Sequence, residues 1–372
     1  MKKVFILTQY SLPEHKRNMN AYQRVFYGAN YAHIQLLIRR KQSVSRELEE
    51  RVTLRRAPVE NRWLFFAYAL FLAIYLRFKG CRIIITEPSG FAALGFLVKY
   101  LAGYFWVLDV WDTPRRRPGL PTRFSDRFTF FLMSFADLYL FSILPQAAPM
   151  LKINQEKYVQ LYNAIDLRKL PKKPPYRPIK NDNLNLAFIR STYTYDMGIL
   201  ILIQAAEKLF DMKLNVKIHL VGHIPKYIKD TIFSSRAAPI FKIHGFIPFS
   251  PNDKADFFHN IHIGLIPFMS TENLKYTFPI KVLEHLAFGN PVISSDLPGI
   301  RTMIIHEYNG LLVEPGKPEE LAKAIIRLYH DKTLWEQLAW NALESAKKYD
   351  ASRKNEIIFQ EIFKRARKKN MQ

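Results

Sequence analysis

Two charged residues, Lys281 and Glu284, lie three positions apart in an otherwise apolar segment, Tyr276–Asp296 (YTFPIKVLEHLAFGNPVISSD). Apolar residues recur there at helical spacing, Pro279 suits the first helical position, and Gly289 ends the helix. Lys281 then lies in the first turn, where the helix dipole disfavours a cation. A bound anion would explain this placement, because helix N-termini bind phosphate groups. We therefore predict that a phosphorylated ligand binds at this helix end.

Glu284 follows one turn later on a helix that otherwise has the pattern of a core element. A carboxylate in such surroundings needs a partner, because burying an unpaired charge is costly. A ligand is one candidate partner. The alternative is a salt bridge to Lys281 or to His285, and the sequence leaves both open.

The composition limits the kinds of ligand. The chain has 372 residues, 49% of them apolar, which is enough for two domains with substantial cores. Its net charge of +23 is spread over both halves and predicts an acidic partner: nucleic acid, anionic lipid or phosphorylated substrate. No recognisable nucleic-acid-binding module is present, so we do not expect nucleic acid. The single cysteine, Cys81, excludes an internal disulfide and fits a reducing cytosol.

Strand-like and helix-like segments alternate along the chain, which predicts βαβ units and parallel sheets. The N-terminal apolar run is too short for a signal peptide, so we interpret it as a first strand. The strands predicted for the first half are Val4–Thr8, Arg82–Thr86, Phe105–Val110, Leu138–Phe141 and Tyr158–Leu161. Those predicted for the second half are Asn185–Ile189, Val216–Val221, Phe241–Ile243, Ile263–Ile266, Val292–Ser294 and Leu311–Val313, with a helix over Gly198–Phe210.

A proline-rich, charged segment, PKKPPYRPIKNDN, separates the two series of strands. We predict an α/β fold with an N-terminal Rossmann-like domain over 1–170, a linker over 171–183 and a C-terminal Rossmann-like domain over 184–350. We predict a basic helix over 351–372, and one interpretation is that it crosses back to the N-terminal domain. Two such doubly wound domains imply an interdomain cleft, with ligands at the carboxyl ends of the strands.

One stretch, Trp63–Leu76 (WLFFAYALFLAIYL), is apolar over fourteen consecutive residues. It is shorter than the roughly 20 residues that span a bilayer. It also lacks the polar face of an ordinary surface helix. Two interpretations remain: a helix buried in the first domain, or a helix docked in the membrane interface. Basic clusters at 39–41, 55–56 and 115–117 would favour an anionic lipid surface.

The region 276–324 resembles the donor-binding half of the retaining family-4 glycosyltransferases (glycosyl transferases group 1), which have the GT-B fold. The specific block is FPIKVLEHLAFGNPVISSD followed by LPGIRTMI and NGLLVEPGKPEELAKAI, and it is similar to the P-x-K-x-x-E subgroup of that family. Weaker similarity at LTQYSLPE, YNAID, LVGHIP and HGFIP extends the resemblance over nearly the whole chain.

This resemblance implies a nucleotide-sugar donor in the second domain and an acceptor in the first. Glu284 would hold the ribose hydroxyls, and Lys281 and Arg190 would neutralise the diphosphate. The same resemblance places Tyr276, Pro279 and Ile280 at the donor. It implies no bound metal and no cofactor besides the nucleotide sugar as co-substrate. The scattered histidines and the absence of metal-ligand spacing in the sequence agree with this expectation.

The sequence departs from the family pattern in three places. Tyr276 occupies a position where a glutamate usually contacts the transferred sugar, and Met197 stands where a second cation is usual. The first loop, which usually has paired glycines, carries His15, Lys16 and Arg17 instead. We expect these side chains to supply charge in an acceptor or phosphate loop.

A candidate catalytic carboxylate lies in the first half. The segment VLDVWDTP resembles the family's strand end with a terminal aspartate, and Asp112 is the matching residue. It would orient or deprotonate an acceptor hydroxyl, acting beside Arg190 and Lys281. The alternative is that Asp112 caps the turn at Thr113-Pro114.

We therefore expect a metal-independent, retaining glycosyltransferase that moves a sugar to a lipid-linked or cell-surface glycan acceptor. We expect it in the cytoplasm, bound peripherally to the inner face of the cell membrane through 63–76 and basic patches. The alternatives are a GT-B-like sugar-nucleotide epimerase and a catalytically degenerate, nucleotide-sugar-binding partner of another glycosyltransferase. A dinucleotide oxidoreductase is disfavoured, because no G-x-G-x-x-G follows the first strand.

Overall fold

The computed structural model describes residues 2–13, 19–110, 124–141, 155–169, 183–245 and 251–370. The chain divides into two compact units. The first comprises residues 1–166 and 351–372, and the second comprises residues 167–350. The predicted linker, 171–183, lies outside the described residues except for Asn183.

The first unit contains a parallel sheet of seven described strands with helices between most of them. The strands are β1 Lys2–Leu7, β2 Ala32–Ile38, β3 Thr53–Arg56, β4 Cys81–Thr86, β5 Phe105–Val110, β6 Leu138–Phe141 and β7 Tyr158–Gln160. The helices are α1 Asn20–Gly28, α2 Arg46–Glu49, α3 Arg62–Phe78, α4 Pro88–Ala102 and α5 Phe124–Met133, with α14 Ala351–Asn370 returning from the chain end. The order of the strands is β3-β2-β1-β4-β5-β6-β7.

Two strands of this sheet, β2 and β3, were absent from the sequence prediction. The first is a short apolar run, AHIQLLI, and such runs do not distinguish a strand from a helix segment. The second, TLRR, is an edge strand that carries two arginines and has no strand-like alternation. The position of β2 therefore depends on its pairing with β1, and that of β3 on its pairing with β2, which the local pattern does not encode.

The second unit contains a parallel sheet of six described strands. These are β8 Leu184–Thr192, β9 Val216–His223, β10 Phe241–Gly245, β11 Ile263–Ile266, β12 Val292–Ser295 and β13 Gly310–Val313, in the order β10-β9-β8-β11-β12-β13. The helices are α6 Ile199–Asp211, α7 Lys226–Ser234, α8 Pro251–His259, α9 Glu272–Lys275, α10 Ile280–Ala287, α11 Pro298–Arg301, α12 Pro318–His330 and α13 Lys332–Ala346. Both sheets are doubly wound, so the predicted α/β class with two Rossmann-like domains is confirmed.

Each sheet has a switch point, where the chain leaves one side of its first strand and continues on the other. In the first unit the switch point lies between β1 and β4, and in the second it lies between β8 and β11. Ligands of open α/β sheets bind at the carboxyl ends of the strands beside such a point. The two switch points are therefore where functional side chains should be sought.

Helix α3 is buried on one face only. Phe65, Ala69, Leu72, Ala73 and Leu76 are buried, and they recur at the spacing of one helical face. The opposite face is apolar too, but Trp63 and Phe78 are 78% and 85% exposed. The interpretation of this stretch as a helix buried within the domain is therefore wrong for half of its surface. Among the described helices, none is both long and apolar enough to cross a bilayer.

Candidate functional site

The helix α10 places Lys281 at the carboxyl edge of the second sheet. The chain leaves β11 at this edge, and α10 then runs back towards the start of β12, so its N-terminus lies at the carboxyl edge. Pro279 is the N-cap, with φ −71° and ψ 121°, and Ile280 is the first helical residue. The predicted start of the helix was thus one residue too early. Gly289 follows the helix with φ +71°, a left-handed conformation that suits glycine.

Lys281 and Glu284 contact each other directly. The ammonium Nζ of Lys281 lies 2.8 Å from Glu284 Oε2, and the two side chains are 30% and 3% exposed. The salt bridge that the sequence left as an alternative is therefore present. Because Lys281 is partly exposed, its ammonium can still meet an anion at the N-terminus of α10.

Arg190 lies at the switch point of the second sheet. It belongs to the last part of β8, and its guanidinium stacks over the ring of Phe268, which follows β11, at 5.0 Å from the ring centroid. The chain segments after β8 and β11 approach closely, since a Cβ on Gly198 would lie 1.6 Å from the carbonyl oxygen of Pro267. Arg190 and Lys281 are thus two cations at the same edge of one sheet.

Tyr276 lies in the loop that precedes α10. It is half-buried and ends α9, and the ammonium of Lys275 lies 5.7 Å from its ring centroid. The next turn is packed against the start of α11, because a Cβ on Gly299 would lie 2.0 Å from the carbonyl oxygen of Thr277. This loop is therefore fixed between the carboxyl ends of β11 and β12. Met197 ends a short 3-10 turn directly before Gly198.

The arrangement suits an anionic ligand with hydroxyl groups. Two cations and the N-terminal dipole of α10 favour phosphate oxygens, and the cations are positioned by contacts with Glu284 and Phe268. A buried carboxylate one turn further along α10 can accept hydrogen bonds from hydroxyl groups. In the parts of the chain that the structure describes, no group of three or more His, Cys, Asp or Glu side chains could hold a metal ion.

Four predicted site residues, His15, Lys16, Arg17 and Asp112, lie outside the described residues, as does the basic run 115–117. Their proposed roles therefore stay predictions.

The first unit has a polar pair at its own switch point that the sequence analysis missed. Thr8 directly follows β1 and Glu87 directly follows β4. The Thr8 hydroxyl donates to Glu87 Oε1 at 2.5 Å, and the backbone N–H of Gln9 donates to Glu87 Oε2 at 3.3 Å. Burial, with Asp109 as a further cause, raises the pKa of the Glu87 carboxyl to about 8, although its hydrogen bonds oppose the shift.

Asp109 on the neighbouring strand β5 is held by a buried arginine. Arg24 of α1 donates to both carboxylate oxygens of Asp109, at 2.8 and 3.1 Å, and to Asn355 Oδ1 of α14 at 2.6 Å. Both partners of the ion pair are almost fully buried. This bidentate pair therefore fixes α1 and α14 to the sheet beside the switch point.

A signal for Glu87 was present in the sequence. It is a carboxylate directly after the predicted apolar strand Arg82–Thr86, at the strand end where ligands of such sheets bind. Asp109 gives a weaker signal, because an aspartate inside a strand is as often a buried ion-pair partner as a site residue. The pairing of Glu87 with Thr8 joins positions 79 residues apart and was not predictable.

The family model described as glycosyl transferases group 1 matches residues 183–331. An uncharacterised glycosyltransferase of Methanocaldococcus jannaschii is 26% identical over 166 residues, covering 44% of this chain and 40% of the relative. The N,N'-diacetylbacillosaminyl-diphospho-undecaprenol alpha-1,3-N-acetylgalactosaminyltransferase of Campylobacter jejuni is 31% identical over 99 residues, which are 27% of this chain and 25% of that one. These matches span half or less of the relatives' lengths.

The whole chain is similar in fold to solved glycosyltransferase structures. The crystal structure of Anabaena Alr3699/HepE in complex with UDP-glucose has a TM-score of 0.75 and 17% sequence identity, covering 98% of this chain and 100% of that one. This similarity and the two doubly wound sheets confirm the expected GT-B fold. Residues 183–331 thus match the glycosyl transferases group 1 model, and the chain as a whole has the GT-B fold.

Proposed function

We propose that the protein is a glycosyltransferase that moves a sugar from a nucleotide-diphosphate-sugar donor to a lipid-linked or cell-surface glycan acceptor. The observation that carries this proposal is the placement of Lys281 and Glu284 at the carboxyl edge of the second sheet, within the matched domain. Structural neighbours such as Anabaena HepE were crystallised with UDP or UDP-glucose, which supports a nucleotide sugar as the ligand.

The donor would bind with its diphosphate at the N-terminus of α10, between Lys281 and Arg190. Transfer requires the nucleoside diphosphate to leave with growing negative charge, and fixed cations and helix N–H groups stabilise that charge. Glu284 would accept hydrogen bonds from the ribose hydroxyls. Its partner Lys281 is partly exposed to solvent. A diphosphate can therefore contact the Lys281 ammonium while the Glu284 carboxylate stays in place.

Metal independence and retention of the anomeric configuration are parts of the same proposal. Two protein cations at the diphosphate would supply the charge that a divalent metal supplies elsewhere. Turnover that persists in excess chelator supports metal independence, and the anomeric configuration of the product reports retention.

We also propose that the first unit binds peripherally to the inner face of the cell membrane. The exposed face of α3 carries Trp63, Leu64, Phe71, Ile74, Tyr75 and Phe78. Helix α4 packs beside α3, and α5 packs beside α4, and these helices add Tyr100, Leu101, Phe128 and Phe131. We call this set of ten exposed side chains the α3–α5 apolar surface. Surfaces of this kind mark sites of protein or membrane interaction.

The charge around the α3–α5 apolar surface favours anionic lipid. The stretch 61–101 contains Arg62, Arg77, Lys79, Arg82 and Lys99, and its one acidic residue is the buried Glu87. A second copy of the chain would bring the same positive charge to the contact. An anionic bilayer offers opposite charge, and interfacial aromatic side chains suit the headgroup region.

A second candidate function is a nucleotide-sugar-binding partner without catalytic activity. Tyr276 and Met197 favour it, because each replaces a residue type that usually contacts the donor in the family that the chain resembles. Donor turnover distinguishes the two functions, since the partner would bind a nucleotide sugar without ever cleaving it.

The test of the donor site is a thermal-shift screen with UDP, GDP, ADP and their sugars. We expect one nucleotide series to raise the melting temperature of the wild type, and Glu284→Ala to abolish the shift. If no nucleotide stabilises the wild type, or if the variant responds equally, the assignment of the site is wrong. Release of nucleoside diphosphate from the stabilising sugar then separates an enzyme from a binding partner.

A further inference from the structure

A group of cations follows the ends of β2 and β3 in the first unit, and the donor site does not use it. Between residues 39 and 62 the sequence contains eight Lys and Arg residues against four Glu residues. Arg39, Arg40 and Lys41 come directly after β2, and Arg56 is the last residue of β3. The two strands pair in parallel, and α3 begins at the same edge because it leads from β3 to the parallel strand β4. These cations therefore lie at the edge of the sheet where α3 begins.

Two donor nitrogens in this group are buried without an acceptor. Arg39 Nε and Gln42 Nε2 have no hydrogen-bond partner among the described residues. The backbone N–H of Arg39 donates to Gln42 Oε1 at 2.6 Å, which fixes the orientation of the amide and leaves its NH2 group as the unpaired side. A buried donor without a partner costs free energy, so it calls for an explanation. Both nitrogens are donors, and the partner that they lack is an acceptor.

The guanidinium of Arg39 lies against the first turn of α3. Its Cζ atom is 5.4 Å from the ring centroid of Phe65, the fourth residue of the helix. The helix dipole disfavours cations at this end, yet the first turn begins with Arg62 and contains no acidic residue. An anion beside Arg39 would offset this unfavourable placement of positive charge.

The carboxylates that contact this group of cations are engaged elsewhere. Glu60 is exposed and accepts from the backbone N–H of Lys41 at 2.8 Å. Glu49 pairs with Arg56 at 2.8 Å. Among the described residues, no ion pair balances the three cations of the run 39–41. The unbalanced positive charge is therefore concentrated beside the two unpaired donors.

We propose that Arg39 and Gln42 form a binding site for a terminal phosphate group, to which Arg40 and Lys41 add charge. The planar guanidinium donates two parallel hydrogen bonds to phosphate oxygens, and the Gln42 NH2 group donates a third. Both residues are half-buried, so the phosphate reaches them from solvent once the Arg39 side chain turns away from the Phe65 ring. The phosphate then supplies the acceptors that both nitrogens lack and the negative charge that the first turn of α3 favours.

The site borders the α3–α5 apolar surface. Trp63 and Leu64 lie in the same turn of α3 and are 78% and 57% exposed. The phosphate therefore has two candidate sources: a soluble phosphate monoester, or a lipid headgroup whose acyl chains lie against this surface. A terminal phosphate is common to both, with three acceptor oxygens and up to two negative charges. The lipid source rests on the membrane binding proposed above, whereas the soluble source does not.

Two measurements on the full-length protein separate the sources. In the first, phenylglyoxal modifies arginine side chains, and mass spectrometry of the peptides follows Arg39 with and without glycerol 3-phosphate. Arg46 is the internal control, because it is 90% exposed and its pair with Glu50 is 3.1 Å long. In the second, flotation compares phosphatidylcholine vesicles that contain phosphatidic acid with vesicles that contain phosphatidylglycerol, at equal surface charge.

The variants are Arg39→Gln, Gln42→Glu and the matched control Arg46→Gln. Gln42→Glu keeps the oxygen that accepts from the Arg39 backbone N–H but replaces the unpaired NH2 group by a carboxylate oxygen. It therefore tests the site without removing a contact of the fold. Arg46→Gln removes the same charge from the same unit as Arg39→Gln, so it measures diffuse attraction to the vesicles.

We expect glycerol 3-phosphate to slow the modification of Arg39 by about tenfold and to leave that of Arg46 unchanged. Glycerol, which lacks the phosphate, should not protect Arg39. The wild type should bind vesicles with phosphatidic acid about tenfold better than those with phosphatidylglycerol. Arg39→Gln and Gln42→Glu should lose this preference. Arg46→Gln should weaken binding to both kinds of vesicle alike, by up to about fivefold, and keep the preference.

The outcomes distinguish the ligand and can overturn the site. Protection by glycerol 3-phosphate without a vesicle preference identifies a soluble monoester, and a preference for phosphatidic acid without protection identifies a lipid; either supports the site. A wild type that floats with neither vesicle refutes the membrane docking, and protection then decides the site alone. The site is overturned if neither protection nor preference is observed, or if Arg46→Gln loses the preference as fully as Arg39→Gln.

Discussion

Lys281 Nζ lies 2.8 Å from Glu284 Oε2 across one turn of α10, but the two side chains differ tenfold in exposure. Glu284 is buried and pairs with the ammonium, whereas Lys281 retains contact with solvent. The pair therefore holds a carboxylate in a buried position while leaving its cation open to a second anion. This difference in exposure suits the proposed donor site, in which the carboxylate accepts hydrogen bonds from hydroxyl groups and the ammonium contacts a phosphate.

Removing the cation should destabilise the second unit. Lys281→Met removes the ammonium from the buried Glu284 carboxylate. We expect the free energy of unfolding to fall by about 1–3 kcal/mol. This is less than for a fully buried pair, because Lys281 is partly exposed. Chemical denaturation at pH 7 measures it. Lys275→Met is the control: its pair with Glu272 is exposed and 3.9 Å long, so its loss should stay below about 0.5 kcal/mol. Equal losses in the two variants would contradict the buried-pair argument.

Arg190 should act on turnover more than on folding. Arg190→Ala removes a cation from the switch point of the second sheet, and turnover of the donor should fall by about 10²–10³. Arg190→Lys keeps the charge but loses the planar stacking on Phe268, so it should recover part of the rate. Arg236→Ala breaks an exposed pair with Asp211 and should leave turnover unchanged. A wild-type rate for Arg190→Ala would remove this residue from the donor site.

Membrane binding should depend on the α3–α5 apolar surface. The triple variant Trp63→Ser, Phe71→Ser and Phe78→Ser should reduce flotation with vesicles of phosphatidylcholine and phosphatidylglycerol by on the order of 10²-fold. Wild-type binding should weaken in high salt and without phosphatidylglycerol. The control exchanges Phe233 and Trp340, exposed aromatic residues of the second unit, for serine. Undiminished flotation of the triple variant would exclude this surface as the docking site.

The second unit should lose stability in acid through a histidine pair. His219 of β9 and His244 of β10 stack and share a hydrogen bond of 3.0 Å. Burial, with His244, Lys242, His262 and Lys217 as further causes, lowers the pKa of His219 to about 4. Because the folded pKa lies below the unfolded one, the unfolded chain binds more protons between pH 6.5 and 4, and stability falls as the pH falls through that window.

The expected loss is about 1–2 kcal/mol after allowance for the partial exposure of His219. Melting temperatures of the wild type and His219→Gln between pH 7.5 and 4.5 measure it. The variant should show a flatter profile, and His330→Gln, a change at an exposed histidine at the end of α12, should follow the wild type. Parallel profiles for all three proteins would show that the pair does not titrate as described.

Glu87 gives the opposite dependence on pH. Its folded pKa of about 8 lies above the unfolded value, so the folded protein holds the proton between pH 4.5 and 8 and loses stability as the pH rises through that range. The glutamine of Glu87→Gln does not titrate. The free energy of unfolding of this variant, relative to that of the wild type, should therefore rise by on the order of 2–4 kcal/mol between pH 5 and pH 8. Melting curves at the two pH values test this. If Glu87→Gln were destabilised equally at both pH values, the Glu87 carboxylate would be charged in the folded wild type.

The local pattern was sufficient wherever neighbours in the sequence are neighbours in the structure. The strands Phe105–Val110, Leu138–Phe141 and Ile263–Ile266 were predicted to the residue, because each is a short apolar run with clear flanks. The proximity of Lys281 and Glu284 followed from helical spacing alone. The edge strand β3 and its neighbour β2 were missed, because a charged edge and a short apolar run have no distinctive period.

The sequence by itself determined the class of the fold, the positive charge and the helix that carries Lys281 and Glu284, because these depend on periodicity and on spacing within one element. Only the tertiary structure decided which face of α3 stays exposed, that Arg190 stacks on Phe268, and that Glu87 meets Thr8 at a switch point. Those relationships depend on strand order and on packing between residues far apart in the chain, and the free energy that selects them comes from burial shared by the whole sheet.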